Sequence, residues 1–326
     1  MTTGEDLRSL VTIVTALHPG HFVPSTTLVE FTNRSVRRMP GMMHCRQILC
    51  CDGLHPSSSA PERDDYERFK ARLADLCRDD PYFFDTHILQ RPPKSDGSRR
   101  NTLAHNLIQA FESGLIDTPF VFLHQPDRFC SPSSDTLGIV QCLFREPRVS
   151  IIHLMENNLI LGVDPEAQWY QAERLTEPDN FGLPLWKTGA YTDHEHFGRA
   201  SFYRDVVFPY TAALCDPPHH CTMESALPRP QEGIYLYLPD DGRPLPHVNI
   251  GTRDHWTSDE RGGQGVTASD LKLLRHFGID PSPCCEGLVD IDISADEQAE
   301  YEAFVTAHKG QIRLTADQQP VSPCLN

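Results

Sequence analysis

Residues 10–17 read LVTIVTAL and residues 46–52 read RQILCCD, and these two runs decide the fold. The first is apolar and β-branched, as a buried strand requires. Between them, Ser25 and Thr26 suit a helix start, and Leu28, Phe31 and Val36 fall on or near one face of the helix that follows. The second run is a strand that ends at Asp52-Gly53. The same alternation then continues along the chain. In PERDDYERFKARLADLC (61–77), Tyr66, Phe69, Leu73 and Leu76 recur at helical spacing, and Pro61 suits the first turn. A third strand is expected at Phe83–Leu89, a helix at Asn101–Ser113 and a fourth strand at Thr118–His124. Asp135–Phe144 then reads as a helix and Val149–Leu154 as a strand.

An order of strand, helix, strand, helix predicts an α/β fold with a mostly parallel sheet covered by helices on both faces. Such sheets bind ligands beyond the carboxyl ends of their strands. The positions to inspect are therefore His18, Asp52-Gly53, the polar loop 91–100 (RPPKSDGSRR) and His124–Phe129.

The second half is less regular and richer in aromatics, Pro and His. Gly233–Leu238 and Leu245–Ile250 read as strands flanking the turn Pro239-Asp240-Asp241-Gly242. Helices are expected at Thr267–Phe277 and Ser294–Lys309, the latter opened by a capping box of Ser294 and Glu297. Residues 286–302 form an acidic run that suits a solvated face, and 316–326 are polar with two Pro. The organisation predicted is an α/β half over 1–160, an irregular half of the same domain over 161–255 and C-terminal helices over 256–326.

Composition narrows the function. Lys and Arg number 29 against 45 Asp and Glu in 326 residues, a formal charge of −16. Such a surface repels phosphate backbones and anionic lipids, so no nucleic-acid partner is expected, although a local basic pocket for a small phosphate ligand remains compatible with it. No run approaches the roughly 20 apolar residues of a membrane span, and the N-terminal apolar run is too short and too polar for a signal segment. A soluble, cytoplasmic protein is the expectation. The 11 cysteines are scattered, with adjacent pairs at Cys50-Cys51 and Cys284-Cys285 and no CxxC, which argues against a disulfide scaffold. Cys215, His219, His220 and Cys221 are zinc-ligand types without finger spacing.

Several chemistries are absent. No GxGxxG follows the first strand, and no GxxxxGK[ST], GxSxG or HExxH occurs. The first strand leads into His18-Pro19-Gly20-His21 rather than the Gly-rich loop of a nucleotidyltransferase.

What remains is an ordered set of segments: VTIVTALHPG (11–20), QILCCDG (47–53), RRNTLAHNLIQAF (99–111) and TPFVFLHQPDRF (118–129). With YTDHEHFGRASFY (191–203), CTMESAL (221–227) and HVNIGTR (247–253), they resemble the GT-A glycosyltransferases, with a family-2-like N-terminal half, over about residues 9–253. The resemblance implies transfer of a sugar from a nucleoside-diphosphate donor to an acceptor hydroxyl, on a glycan and with inversion. The alternatives are a non-catalytic sugar or nucleotide binder that kept the fold, and a nucleotidyltransferase.

The resemblance also implies roles. His18, Asp52, Lys94, Arg99, Arg100, Asn101 and Asp127 would contact the nucleotide-sugar, the cations and a helix start meeting its diphosphate. Glu224 would be the base that deprotonates the acceptor, with Asp193 as its competitor. Asp127, helped by His247 or His124, would hold Mn²⁺ or Mg²⁺. Here the sequence departs from the pattern: the metal motif reads His124-Gln125-Pro126-Asp127, with one Asp instead of two, so less charge is available for a divalent cation. Trp186, Tyr191 and Trp256 are candidates to stack on sugar rings, or else core residues. Asp193 alternatively caps a helix over 196–203.

Overall fold

The computed structural model describes residues 6–17, 24–90, 102–154, 173–174, 182–188, 191–192, 194–214, 223, 227, 232–237, 246–250, 266–288 and part of 294–303. Its first half runs β1 (Val11–Leu17), α1 (Thr27–Arg38), β2 (Gln47–Cys51), α2 (Ala60–Asp79), β3 (Thr86–Gln90), α3 (Thr102–Glu112), β4 (Phe120–His124), β5 (Arg128–Cys130), α4 (Thr136–Arg145) and β6 (Ile151–Leu154). The second half adds β7 (Glu173–Arg174), β8 (Leu185–Lys187), β9 (His196–Arg199), α5 (Ala200–Phe202), a π-helical turn at Tyr203–Val207, α6 (Phe208–Leu214), β10 (Ile234–Tyr237), β11 (His247–Asn249), α7 (Ala268–His276) and α8 (Ser282–Cys285).

Among the described residues, nine strands form one sheet in the order β3-β2-β1-β4-β9-β6-β10-β8-β7. All of them except β8 and β9 point the same way. The protein is thus an α/β fold with a mostly parallel sheet flanked by helices. The helices sit where the strands alternate. Ile13, Leu49 and Phe122 face α1, α2 and α4, whereas Val14, Ile48, Cys50, Val121 and Leu123 face α3 and the helical run after β9. Phe122 and Phe197 are register partners across β4 and β9, and their rings stack with centroids 4.5 Å apart. Such a pair adds about 0.5–1.5 kcal/mol beyond its area burial.

Local chemistry explains the element boundaries. α2 starts at a capping box in which Ser59 accepts from the Glu62 N–H and Glu62 accepts from the Ser59 N–H. α4 starts at Asp135, which accepts from the Gly138 N–H, and α7 at a capping box of Thr267 and Asp270. The amino ends of β2 and β3 are gathered by Arg37, which is 1 % exposed. Its guanidinium donates to the carbonyls of Met43 (3.2 Å), Tyr82 (3.1 Å) and Phe84 (2.9 Å) and to Gln47 Oε1 (3.2 Å).

Three expectations need correction. The third strand begins at Thr86 rather than Phe83, because Pro81–Phe83 form a 3-10 turn capped by Asp80 and Asp85 takes φ 44°. Residues 196–199 are a strand rather than the start of a helix, since β9 is hydrogen-bonded between β4 and β6. The segments 234–237 and 247–249 do not form a hairpin. β10 lies beside β6 in the main sheet, while β11 pairs antiparallel with β5 in a separate two-stranded sheet. The helix expected over 294–309 lies largely outside the described residues. No helix among the described residues is long and apolar enough to cross a membrane.

Candidate functional site at the carboxyl end of the sheet

β2, β1 and β4 are adjacent and parallel, so the residues that follow β2 and β4 share one crest of the sheet. Asp52 follows β2 and Asp127 lies in the turn after β4, with β1 between them. Two strand spacings separate β2 from β4, about 10 Å across the sheet. Asp52 is buried; its N–H donates to the Leu17 carbonyl (2.9 Å), and its own carbonyl accepts from the Tyr66 hydroxyl (2.7 Å). The Lys70 ammonium lies 5.2 Å from the Tyr66 ring centroid and donates to Gln90 Oε1 (3.4 Å) at the end of β3.

The Gln125–Arg128 turn is closed by the Arg128 N–H donating to the Gln125 carbonyl at 3.2 Å. Pro126 in its second position fixes φ near the value such a turn needs. Neighbouring elements hold every remaining carbonyl of the turn. The Pro126 carbonyl accepts from Thr32 of α1 (3.0 Å), and that of Asp127 from the Ile250 N–H (3.0 Å). The Arg128 carbonyl faces His124 Nε2 at 3.0 Å. A carbonyl only accepts, so His124 carries its proton on Nε2, and its Nδ1 accepts from Thr15 Oγ1 (3.3 Å), which in turn accepts from Gln47 Nε2 (3.1 Å). Burial pushes the His124 imidazole down to about 4, so it is neutral.

Behind the turn lies Glu195, the residue before β9, with no exposed surface. Its Oε1 accepts the Gln125 N–H at 2.8 Å. Its Oε2 is 3.6 Å from Arg128 Nε and 3.3 Å from His247 Nε2. Arg128 Nε is also 3.7 Å from Asp127 Oδ1, so the guanidinium lies between two carboxyls. Burial pushes the Glu195 carboxyl up to about 8, against the pull of Arg128. Asp127 is the partly open member, its side chain one-fifth exposed.

Of the residues singled out by sequence, the structure brings Asp127 and His247 to one cluster, through Arg128 and Glu195, and sets Asp52 on the same crest. His247 is fully buried against Glu195. Tyr191 is not a sugar platform: its ring is buried, with centroids 6.2 Å from His153 and 5.6 Å from His196. Trp186 lies half-buried on β8, packed against the core. His18, Lys94, Arg99, Arg100, Asn101, Asp193, Glu224 and Trp256 lie outside the described residues, as do Cys215, His219, His220 and Cys221. Arg128 falls within the range His124–Phe129 that the sequence marks for inspection but carries no role of its own there, and Glu195 is not singled out at all. A period-two reading of His194-Glu195-His196-Phe197 would have found Glu195, because Glu195 and Phe197 share one face and His196 the other.

The donors around Asp127 do not by themselves make a metal centre. Among the described residues, no three His, Cys, Asp or Glu side chains are placed to hold one ion. A hard cation also prefers oxygen ligands to a buried imidazole. The described cysteines are free thiols, and burial pushes those of Cys45, Cys51, Cys142 and Cys284 up to about 12, which makes them poor nucleophiles.

No protein-family profile matches this sequence, and no curated protein matches it. Solved structures with a similar outline include residues 1–349 of TarS from S. aureus, at 11 % identity and TM-score 0.42, covering 92 % of this chain and 71 % of that one. The inositol-1-phosphate CTP transferase from T. maritima is 12 % identical with TM-score 0.42, over 88 % of this chain and 99 % of that one. An active-site mutant of LgtC is 8 % identical with TM-score 0.42, over 88 % of this chain and 99 % of that one. Likeness at this level transfers neither substrate nor residue roles to this chain.

Proposed function

We propose that this protein is a glycosyltransferase that takes a sugar from a nucleoside diphosphate and places it on an acceptor hydroxyl. The observation that carries the reading is the pairing of Asp52 and Asp127 on one crest, at the carboxyl ends of parallel strands separated only by β1. Asp52 suits the nucleoside end of such a donor, because a buried carboxyl beside a strand end can accept from a base or a ribose hydroxyl. Asp127, the partly open member, suits the end where phosphate and sugar meet.

The reaction needs one base and one means of stabilising the departing diphosphate. A carboxylate, Glu224 in this reading and Asp193 as its competitor, takes the proton of the acceptor hydroxyl. That oxygen forms its bond to the anomeric carbon while the bond from that carbon to the diphosphate oxygen breaks, and the nucleoside diphosphate leaves with the bonding pair. Lys94, Arg99 and Arg100 are cations close in sequence to the start of α3 and would meet the charge that develops on the leaving group. A divalent cation would do the same through Asp127. The described donor set does not complete such a site.

Glu224→Gln tests the assignment of the base. Transfer should fall by at least 10²-fold while donor binding stays within twofold. Transfer that survives the change would overturn the role given to Glu224. A second reading, a nucleotide-sugar binder without catalysis, draws on the single Asp of His124-Gln125-Pro126-Asp127 and would show donor binding with no transfer in the wild type.

A further inference from the structure

We propose that Glu195 is the positioning residue of the Gln125–Arg128 turn. By accepting the Gln125 N–H, it would set the direction in which the Asp127 carboxyl faces the donor. The inference rests on the reading of Asp127 as a donor contact.

Four observations support it. The bond from the Gln125 N–H is 2.8 Å long and ends on a side chain with no solvent exposure, so water does not compete for it. Glu195 comes from the entry to β9, 70 residues along the chain from Gln125. It therefore couples the turn to the antiparallel strand at the centre of the sheet rather than to its own loop. Arg128 Nε lies 3.6 Å from Glu195 and 3.7 Å from Asp127, so moving one carboxyl changes the balance on the other. Finally, the carbonyls of the turn are held by Thr32, His124 and Ile250. Glu195 adds the grip on the amide at its start, leaving the Asp127 carboxyl partly open.

A buried carboxyl could instead serve only as a charge opposite Arg128 and His247. Two conservative variants separate the roles. Glu195→Gln keeps an oxygen at full reach for the Gln125 N–H and removes the ionisable group. Glu195→Asp keeps the ionisable group and withdraws the oxygen by one methylene. Amide exchange would be followed across 120–130 in the donor-free protein, relative to peptides from α2, together with the affinity for the donor that the wild type binds. Positioning predicts that Glu195→Asp speeds exchange in the 120–130 peptide at least fivefold over the α2 peptides and weakens donor binding about tenfold. Glu195→Gln should change both less than threefold. The reverse order, or acceleration shared equally by all peptides, would overturn the proposal. A wild type that binds no nucleotide-sugar would refute the proposed function, while the exchange comparison would still decide the hold on the turn.

Discussion

His124 and the carbonyl of Arg128 are joined by a 3.0 Å hydrogen bond whose direction is fixed by the groups behind it. Arg37 donates to Gln47 Oε1, Gln47 Nε2 to Thr15, and Thr15 to His124 Nδ1, so the chain runs one way from the amino end of β2 to the turn after β4. Ordered chains of this kind polarise one another and are costly to break once buried.

His124→Phe cuts that chain and leaves the Arg128 carbonyl and the Thr15 hydroxyl without their partner. A loss of about 2–4 kcal/mol is expected from two buried groups left unsatisfied. Urea unfolding reads it. A change below about 0.5 kcal/mol would show that the relay contributes little to the fold.

Arg37→Met removes a buried guanidinium that several carbonyls share. Their desolvation is then uncompensated, and the cost expected is about 3–5 kcal/mol. The residue lies at the amino ends of the strands, opposite the proposed site. Ligand-induced stabilisation of whatever folded protein remains should therefore be unchanged.

Gly233→Ala should destabilise by about 1–3 kcal/mol, as strained positions do. Gly233 has φ +77°, and a Cβ there would lie 2.5 Å from the Arg148 carbonyl oxygen. The readout is the thermal midpoint, with Gly114→Ala as the comparison, where φ is +74° but a Cβ meets nothing within 4 Å.

Stability should peak near neutral pH. Burial holds His124 and His196 at about 4, below their ordinary 6.5. The unfolded chain therefore binds more protons in that window, and the stability these groups contribute above 6.5 is lost as pH falls toward 4. Glu195, raised by burial from 4.5 to about 8, acts in the opposite sense, and its contribution is lost as pH rises through that range. Below 6.5 the two imidazoles outweigh the one carboxyl, and above it only the carboxyl titrates. A midpoint maximum near pH 6.5 is expected, and Glu195→Gln should flatten its alkaline side. An alkaline side that stays unchanged in that variant would count against Glu195 as its source.

The parallel half of the fold was legible because β1, β2 and β4 are buried on both faces and its helices carry apolar stripes. LVTIVTAL, QILCC and FVFLH can hardly be read otherwise. The antiparallel elements were harder. β9 and β11 are only four and three residues long and carry polar groups that point inward. His196 is buried with Nδ1 toward the His194 carbonyl and Nε2 paired with the Tyr203 hydroxyl, a satisfaction that no local pattern announces. For the site, Asp52 and Asp127 could be picked from their places after strands. Alternation along 194–197 sets Glu195 on the face of Phe197, but its partners could not be read, because they come from the turn after β4, from β5 and from β11 and meet only in the folded sheet.

The most direct measurement is the thermal midpoint of the wild type and of Asp127→Asn with UDP-, GDP-, CMP- and dTDP-sugars, each with Mn²⁺, Mg²⁺ or EDTA. A ligand held only by the folded state raises the midpoint by mass action. Asp127 makes a 3.7 Å contact with Arg128 at a partly exposed position, so its change to Asn should cost the free protein about 0–1 kcal/mol. The account predicts that one nucleotide family stabilises the wild type and that Asp127→Asn loses most of that shift. Folded wild type that none of these donors stabilises, or a shift that Asp127→Asn leaves intact, would contradict it.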